Sequence, residues 1–186
     1  SLSEDGMTAL QQITPILKLV RKMMDDQQEC WIDLLHGLVQ RNGGGHQSLY
    51  VQVTRGAPTL RDHRFPDHCP ATVFALSQTL EDPESRLLDA ETGIRAMTCA
   101  DTRWSRCDIK SVTLLANVLL RHEARQAGCD EAILIRDGHV TEGATSNIFV
   151  VLKDELLTPP LGPHILDGIT RDLVIELAQR HKIPVR

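Results

Sequence analysis

The sequence has little of what marks secreted, zinc-binding, membrane-spanning or nucleic-acid-binding proteins. Its five cysteines are odd in number and none stands in C-x-x-C spacing, which favours reduced thiols in a cytoplasm over a disulfide framework or a zinc site. No apolar run is long enough to cross a bilayer, and residues 1–5 lack the positive start of a secretory signal. The net charge of −5 argues against a nucleic-acid partner. We therefore expect a cytoplasmic protein without a metal, a membrane or a nucleic acid as its partner.

The first half of the chain alternates between helical and strand-like patterns. Residues 7–42 predict helix, with Trp31, Leu34 and Leu38 on one apolar face, and the three glycines at 43–45 end that helix. Residues 49–54 and 71–80 have the patterns of strands. Residues 81–86 have the composition of a linker. We therefore predict a small N-terminal α/β domain over residues 1–80 and a second domain over residues 87–186.

The second half is denser in apolar segments. Residues 114–119 give a helix its apolar face, residues 132–136 predict a buried strand, and Asp137-Gly138 predicts a hairpin that returns over residues 139–142. A further strand is predicted over residues 147–152, pairing with residues 156–158, and residues 168–181 predict a helix. The fold class is α+β, with antiparallel hairpins rather than regular βαβ repeats.

Three short segments of the second half suggest one kind of site. Lys110 precedes an apolar helix, so its amine is expected to be partly buried, which would favour the uncharged form that a Schiff-base nucleophile needs. Glu142 lies in a Gly/Ser/Thr loop, and Gly168-Ile169-Thr170 opens a helix whose free N–H groups can bind a phosphate. Together they can hold an aldehyde, a ring nitrogen and a phosphate, the three groups by which a protein binds pyridoxal 5′-phosphate.

Each segment also has an ordinary structural interpretation. A lysine near a helix start is usually a solvated surface residue, and a glutamate in a turn is often no more than that. Ser146 and Asn147 can be turn residues that satisfy local backbone groups, and Thr170 can belong to an ordinary helix cap. Arg55, Arg61 and His63 lie in a polar loop that is either a carboxylate trap or a solvated basic loop.

The segments occur together in an order that resembles a known family. Residues 50–56 (YVQVTRG) with Arg61-x-His63, residues 108–111 (DIKS), residues 140–149 (VTEGATSNIF) and residues 168–171 (GITR) resemble the fold-type IV pyridoxal-phosphate enzymes, closest to the D-amino-acid (D-alanine) aminotransferases. The resemblance implies a two-domain architecture, with a small α/β domain and a larger domain built on a mixed or antiparallel sheet.

The resemblance also implies roles for single residues. Lys110 would hold pyridoxal phosphate as a Schiff base and shuttle a proton, and Glu142 would face the pyridine nitrogen. Leu166 would pack on the ring, while Ile169 and Thr170 would form the phosphate cup. The substrate α-carboxylate would be held by a further group of three residues, namely Tyr50, Arg61 and His63.

The implied reaction is transamination between a D-amino acid and a 2-oxo acid such as 2-oxoglutarate, carried out by a homodimer. Alternatives are an aminodeoxychorismate lyase or a branched-chain aminotransferase of the same fold, or a non-catalytic relative. The family's N-terminal segment, with its phosphate-binding arginine, has no match in residues 1–29, and its later strands have none before Arg186. We therefore expect the architecture to be represented incompletely at both ends.

Overall fold

The computed structural model describes residues 28–60, 62–63, 69–80 and 93–186. Two compact units divide the chain, Ser1–Glu91 and Thr92–Arg186. The predicted linker at 81–86 and the predicted helical stretch before Gln28 lie outside the described residues. The predicted domain limits therefore stay a prediction.

The first unit contains one helix and one hairpin. Helix α1 (Gln28–Arg41) ends just before three glycines that all have positive φ, as the sequence predicts. Strands β1 (Gln47–Thr54) and β2 (Thr72–Thr79) pair in antiparallel register over their full lengths. The side-chain amide of Gln47 donates to the carbonyls of Val39, Asn42 and Gly44, and so closes the turn between helix and strand.

The second unit is built on a three-stranded sheet in the order β3-β4-β5, formed by β3 (Ala96–Ala100), β4 (Glu131–Arg136) and β5 (His139–Gly143). Strand β3 pairs with β4 in parallel, and helix α2 (Leu115–Gln126) supplies the crossover that such a pair requires. Strands β4 and β5 form the predicted antiparallel hairpin. Strand β3 was not predicted, and its parallel pairing with β4 adds one crossover to the predicted hairpin, so the sheet is mixed.

A small apolar core lies between α2 and this sheet. Its buried members come from β3, α2, β4 and the residue after β5: Cys99, Leu120, Ala124, Ala132, Leu134 and Ala144. Leu134 is the largest fully buried side chain among the described residues. The helix and the end of β5 are thus held against one another by apolar packing, which fixes the frame of the candidate site.

A second hairpin and the last helix follow. Strand β6 (Val150–Leu152) pairs with β7 (Glu155–Leu157) through a tight turn in which Lys153 and Asp154 both have positive φ. Strand β6 begins three residues later than predicted, because Asn147 turns its side chain toward Glu142 and Leu166 instead. Helix α3 (Ile169–Arg180) starts after Gly168, close to the predicted limits.

The described residues contain neither a membrane-spanning helix nor a metal-binding cluster. No helix in that part of the chain is long and apolar enough to cross a membrane. Among the same residues no group of three or more histidine, cysteine, aspartate or glutamate side chains is placed to hold a metal ion. In the same ranges, Cys69, Cys99, Cys107 and Cys129 are free thiols.

Candidate active site

A cleft of about 450 Å³ runs beside α2 in the second unit. One wall is made by helix residues that include Asn117 and Arg121, and the other by residues 142–147 at the end of β5. Lys110, Glu142 and Leu166 all line it. Three residues that the sequence singled out, from three separate segments, thus face the same space.

Glu142 is buried at the base of this cleft, and its carboxylate is tightly held. Oε2 accepts hydrogen bonds from the backbone N–H of Leu166 at 2.9 Å and from the amide of Asn147 at 3.1 Å. Oε1 accepts one from the Arg103 guanidinium. A carboxylate has about four acceptor positions, so one position on Glu142 remains for a donor in the cleft.

Arg103 is a buried residue that the sequence analysis missed. Its Nη1 donates to Glu142, and Nε and Nη2 donate to the two oxygens of Asp101, each at 2.9 Å. Nη2 also lies 3.1 Å from the carbonyl oxygen of His164. No local pattern marks this arginine, because Glu142 and His164 are 39 and 61 positions further along the chain.

Asp101 is the buried counter-charge of Arg103. Burial by itself raises the pKa of Asp101, but hydrogen bonds from Arg103 and Arg136 outweigh it and hold that pKa well below its usual range. The pKa of Arg103 is raised, because its bonds to Asp101 and Glu142 outweigh the opposing effect of burial. The charges alternate from Arg136 through Asp101 and Arg103 to Glu142, so each buried ion has an opposite neighbour.

The loop after Glu142 is anchored by a second buried carboxylate, that of Glu131. It accepts hydrogen bonds from the hydroxyls of Thr145 at 2.9 Å and Ser146 at 3.0 Å. Burial opposes the ionisation of Glu131, yet these bonds and one from a backbone N–H lower its pKa overall. The interpretation of Ser146 and Asn147 as residues that satisfy only local backbone is wrong, since both side chains bond to buried carboxylates.

Lys110 lies in a loop at the rim of the cleft, five residues before α2 begins. Within the described part of the chain its amine has no hydrogen bond or ion pair. The expected partial burial is wrong, because Lys110 is exposed. Val112, an apolar residue two positions further on, is itself 65% exposed.

The predicted phosphate-binding residues lie at the start of α3. Gly168 is the N-cap and no side chain caps the helix, so the interpretation as a threonine-led cap is wrong. The first intrahelical bond is donated by Asp172 to the Gly168 carbonyl, which leaves the earlier N–H groups of the helix without intrahelical partners. Ile169 and Thr170 are exposed and do not line the cleft, whereas Leu166, three residues before, does.

The predicted carboxylate-binding residues belong to the first unit. Tyr50 is exposed on β1, and its hydroxyl donates to Gln52 Oε1 at 2.8 Å. His63 is exposed, and its backbone N–H donates to Asp62 Oδ1 at 2.6 Å. Arg61 lies outside the described residues. The role of these three residues stays a prediction.

Comparison with known proteins gives the chain a family. Residues 17–186 match the family described as Amino-transferase class IV. The D-alanine aminotransferase of Bacillus licheniformis is 43% identical over 143 residues, which are 76% of this chain and 48% of that protein. The chain thus spans about half the length of the curated relatives it matches.

Solved structures agree on the fold. The branched-chain amino acid aminotransferase of Escherichia coli superposes with a TM-score of 0.63 at 26% identity, over 81% of this chain and 51% of that one. The branched-chain aminotransferase of Thermoproteus uzoniensis gives 0.62 at 30% identity, over 85% and 53%. Both the α+β class and the fold-type IV architecture are confirmed, over about half the length of each of these two structures. The chain is a member of the class IV aminotransferases.

Proposed function

We propose that this chain carries the cofactor site of a pyridoxal-phosphate-dependent aminotransferase that acts on D-amino acids. The observation that supports it most is the shared cleft, which is lined by the Lys110 amine, the buried Glu142 carboxylate and the apolar side chain of Leu166. Among the described residues the Lys110 amine has no hydrogen bond or ion pair. These are the groups that an aldehyde, a ring nitrogen and a ring face require.

The residues fit this cofactor, which is the one that class IV aminotransferases use. The cleft volume lies within the roughly 300–1,000 Å³ of small-molecule sites. Glu142 keeps one acceptor position for a protonated ring nitrogen, since its other positions are taken by Arg103, Asn147 and Leu166. The open first turn of α3 suits a phosphate, because its N–H groups and dipole favour an anion.

Each residue then has a defined task. Bound pyridoxal phosphate supplies an electron sink that stabilises negative charge at the substrate Cα. The Lys110 amine would hold the cofactor at its aldehyde carbon and would move the Cα proton of the substrate. Glu142 keeps a proton on the ring nitrogen, and Leu166 covers the ring face. The N–H groups of Ile169 and Thr170 bind the phosphate.

The substrate class rests on the relatives. The sequence is 43% identical to a D-alanine aminotransferase, which favours D-alanine as donor and a 2-oxo acid such as 2-oxoglutarate as acceptor. Tyr50, Arg61 and His63 are proposed to hold the substrate carboxylate. We further propose a cytoplasmic homodimer, in keeping with the free thiols of the described cysteines and with the family resemblance.

The test is a near-visible absorption spectrum of the purified chain with pyridoxal phosphate, recorded before and after addition of D-alanine or L-alanine. We expect a bound-cofactor band that D-alanine changes and L-alanine does not, and no such band for Lys110→Ala. A response to branched-chain L-amino acids instead would assign the branched-chain alternative, and release of pyruvate from aminodeoxychorismate the lyase. Absence of any band in the unaltered chain would contradict the proposal.

A further inference from the structure

We propose that Arg103 is the positioning residue for Glu142, held in place by Asp101, and that this arrangement keeps the Glu142 carboxylate aimed at the ring nitrogen. The inference rests on the proposed function. Arg103 itself does not line the cleft. It acts through Glu142, so it is not a catalytic residue.

Arg103 forms hydrogen bonds to two carboxylates at once, those of Asp101 and Glu142. Its Nε and Nη2 donate to the two carboxylate oxygens of Asp101, and its Nη1 donates to Oε1 of Glu142. A planar guanidinium can hold two carboxylates in this way, whereas the single ammonium of a lysine cannot reproduce the fork. The orientation of Nη1 is therefore set by Asp101, and Nη1 in turn sets the orientation of the Glu142 carboxylate.

Arg103 also joins the segments that carry the other site residues. It lies in the loop that leads to Lys110, and its Nη2 donates to the His164 carbonyl at 3.1 Å, two residues before Leu166. The backbone N–H of Cys107 donates to the Pro163 carbonyl at 2.7 Å and holds the same two loops together. A shift of Arg103 would therefore move the amine, the carboxylate and the ring-covering side chain relative to one another.

Charge gives the second part of the inference. A buried carboxylate beside a protonated ring nitrogen can also exist as a neutral pair, with the proton on the carboxyl group, and a low-dielectric site favours that pair. Arg103 donates to Oε1 of Glu142, so a proton transferred from the ring nitrogen to this carboxylate would meet a cation already bound there. Asp101 is ionised beside Arg103, and Arg136 balances Asp101 from the other side at 3.2 Å, so the burial of these charges is compensated.

Arg106 provides a matched control. It lies three residues after Arg103 in the same loop, but its side chain is partly exposed and donates to Asp108, at 2.7 and 2.9 Å, rather than to Glu142. Arg106→Met thus removes an arginine–aspartate pair from the same segment without touching the proposed arrangement.

The experiment compares the unaltered chain with Arg103→Met, Arg103→Lys and Arg106→Met, using pyridoxal phosphate as the probe. The ¹⁵N chemical shift of the labelled ring nitrogen reports whether that nitrogen carries a proton, and a titration gives the dissociation constant. We expect Arg103→Met to move the nitrogen signal toward that of neutral pyridine and to weaken binding about 10-fold or more, as loss of a charged hydrogen bond does. Arg103→Lys should keep the pyridinium signal, and Arg106→Met should match the unaltered chain.

A second readout needs no cofactor. The Leu166 N–H donates to Glu142 Oε2, so its hydrogen exchange reports whether Glu142 stays in place. We expect about 10-fold faster exchange at Leu166 in Arg103→Met and in Arg103→Lys, and no change in Arg106→Met. Arg103→Lys keeps the charge and tests positioning if the methionine variant fails to fold.

The outcomes separate the two proposals. A wild-type ring-nitrogen shift and wild-type Leu166 exchange in the Arg103 variants would overturn the role of Arg103, even if their melting temperatures fall. If the unaltered chain binds no pyridoxal phosphate, the proposed function fails. The exchange at Leu166 then decides by itself whether Arg103 positions Glu142.

Discussion

The backbone N–H of Leu166 donates a 2.9 Å hydrogen bond to Oε2 of Glu142. This bond joins the end of strand β5 to the segment that leads into helix α3, and both residues line the cleft that also contains Lys110. The side chain of the proposed ring partner is therefore bound to the backbone of the proposed ring cover.

The first prediction concerns Glu142→Gln. The amide group of glutamine cannot accept all three bonds that Glu142 now receives, so one donor among Arg103, Asn147 and Leu166 loses its acceptor. We expect a loss of about 1–3 kcal/mol in the free energy of unfolding and at least about 10-fold weaker binding of pyridoxal phosphate. Urea unfolding and a cofactor titration measure the two effects.

Glu155→Gln is the control for this variant. Glu155 is partly exposed and pairs only loosely with Arg186, at 3.4 Å, so the change should alter stability by less than about 1 kcal/mol. Equal losses of unfolding free energy in Glu155→Gln and Glu142→Gln would mean that the hydrogen bonds to Glu142 stabilise the chain no more than a surface ion pair does.

The second prediction concerns Asn147→Ala. The Asn147 amide donates to Glu142 at 3.1 Å and to the Leu166 carbonyl at 2.9 Å. Alanine at this position would leave each of these two acceptors with one hydrogen bond fewer. We expect a loss of about 1–3 kcal/mol in unfolding free energy and weaker cofactor binding. Asn42→Ala, which removes a single exposed bond to the Leu38 carbonyl in the other unit, should leave cofactor binding unchanged; a matching loss there would argue against the role of Asn147.

The third prediction concerns Gly168→Ala. A Cβ at Gly168 would overlap the Asn147 side-chain oxygen, whereas a Cβ at Gly162 meets no atom within 4 Å. We expect Gly168→Ala to displace Asn147 and to destabilise the chain by about 1–3 kcal/mol, and Gly162→Ala to be close to neutral. Thermal unfolding of the two variants measures the difference, and equal melting temperatures would show that the contact is easily relieved.

The fourth prediction concerns pH. The pKa of Asp101 in the folded chain is depressed below its unfolded value of about 3.9, so its charge contributes stability that is fully present above that value and is lost as the pH falls further. We expect Asp101→Asn to lower the free energy of unfolding by about 3–5 kcal/mol at pH 7, because Arg103 loses a buried partner. The difference from the unaltered chain should shrink below about pH 4.

Asp108→Asn is the comparison for the pH series. Asp108 pairs with Arg106 on the surface, so its loss should change stability by less than about 1 kcal/mol at any pH. If the difference in unfolding free energy between Asp101→Asn and the unaltered chain stayed constant from pH 7 to pH 3, the assignment of Asp101 as an ionised buried partner would be contradicted.

Local chemistry made much of the fold predictable. Glycines at 43–45 end α1, and Asp137-Gly138 forms the β4–β5 turn with φ of 51° and 76°, as the dipeptide predicts. Strand β3 was missed because Ala96–Ala100 is short, contains two alanines and lacks the alternation that identifies a strand. Its place beside β4 depends on a crossover through α2, which no local pattern encodes.

Some residues of the candidate site could likewise be predicted from local sequence, and others could not. Lys110, Glu142 and Leu166 were predicted and share a cleft, because each lies in a segment with a recognisable local sequence. Arg103 was not predicted, since its partners are distant in sequence and an arginine in a polar loop usually faces solvent. The expected burial of Lys110 failed because burial depends on which elements cover a loop, and sequence neighbours do not determine that.

The central claim is that Lys110 holds pyridoxal phosphate, and reductive trapping tests it most directly. The purified chain would be incubated with pyridoxal phosphate, reduced with borohydride, digested, and mapped by mass spectrometry. The sequence has five lysines, at positions 18, 22, 110, 153 and 182. We predict that the phosphopyridoxyl group lies on Lys110 and that Glu142→Gln lowers its yield. Equal labelling of Lys153 or Lys182, or no labelling of Lys110, would contradict the claim.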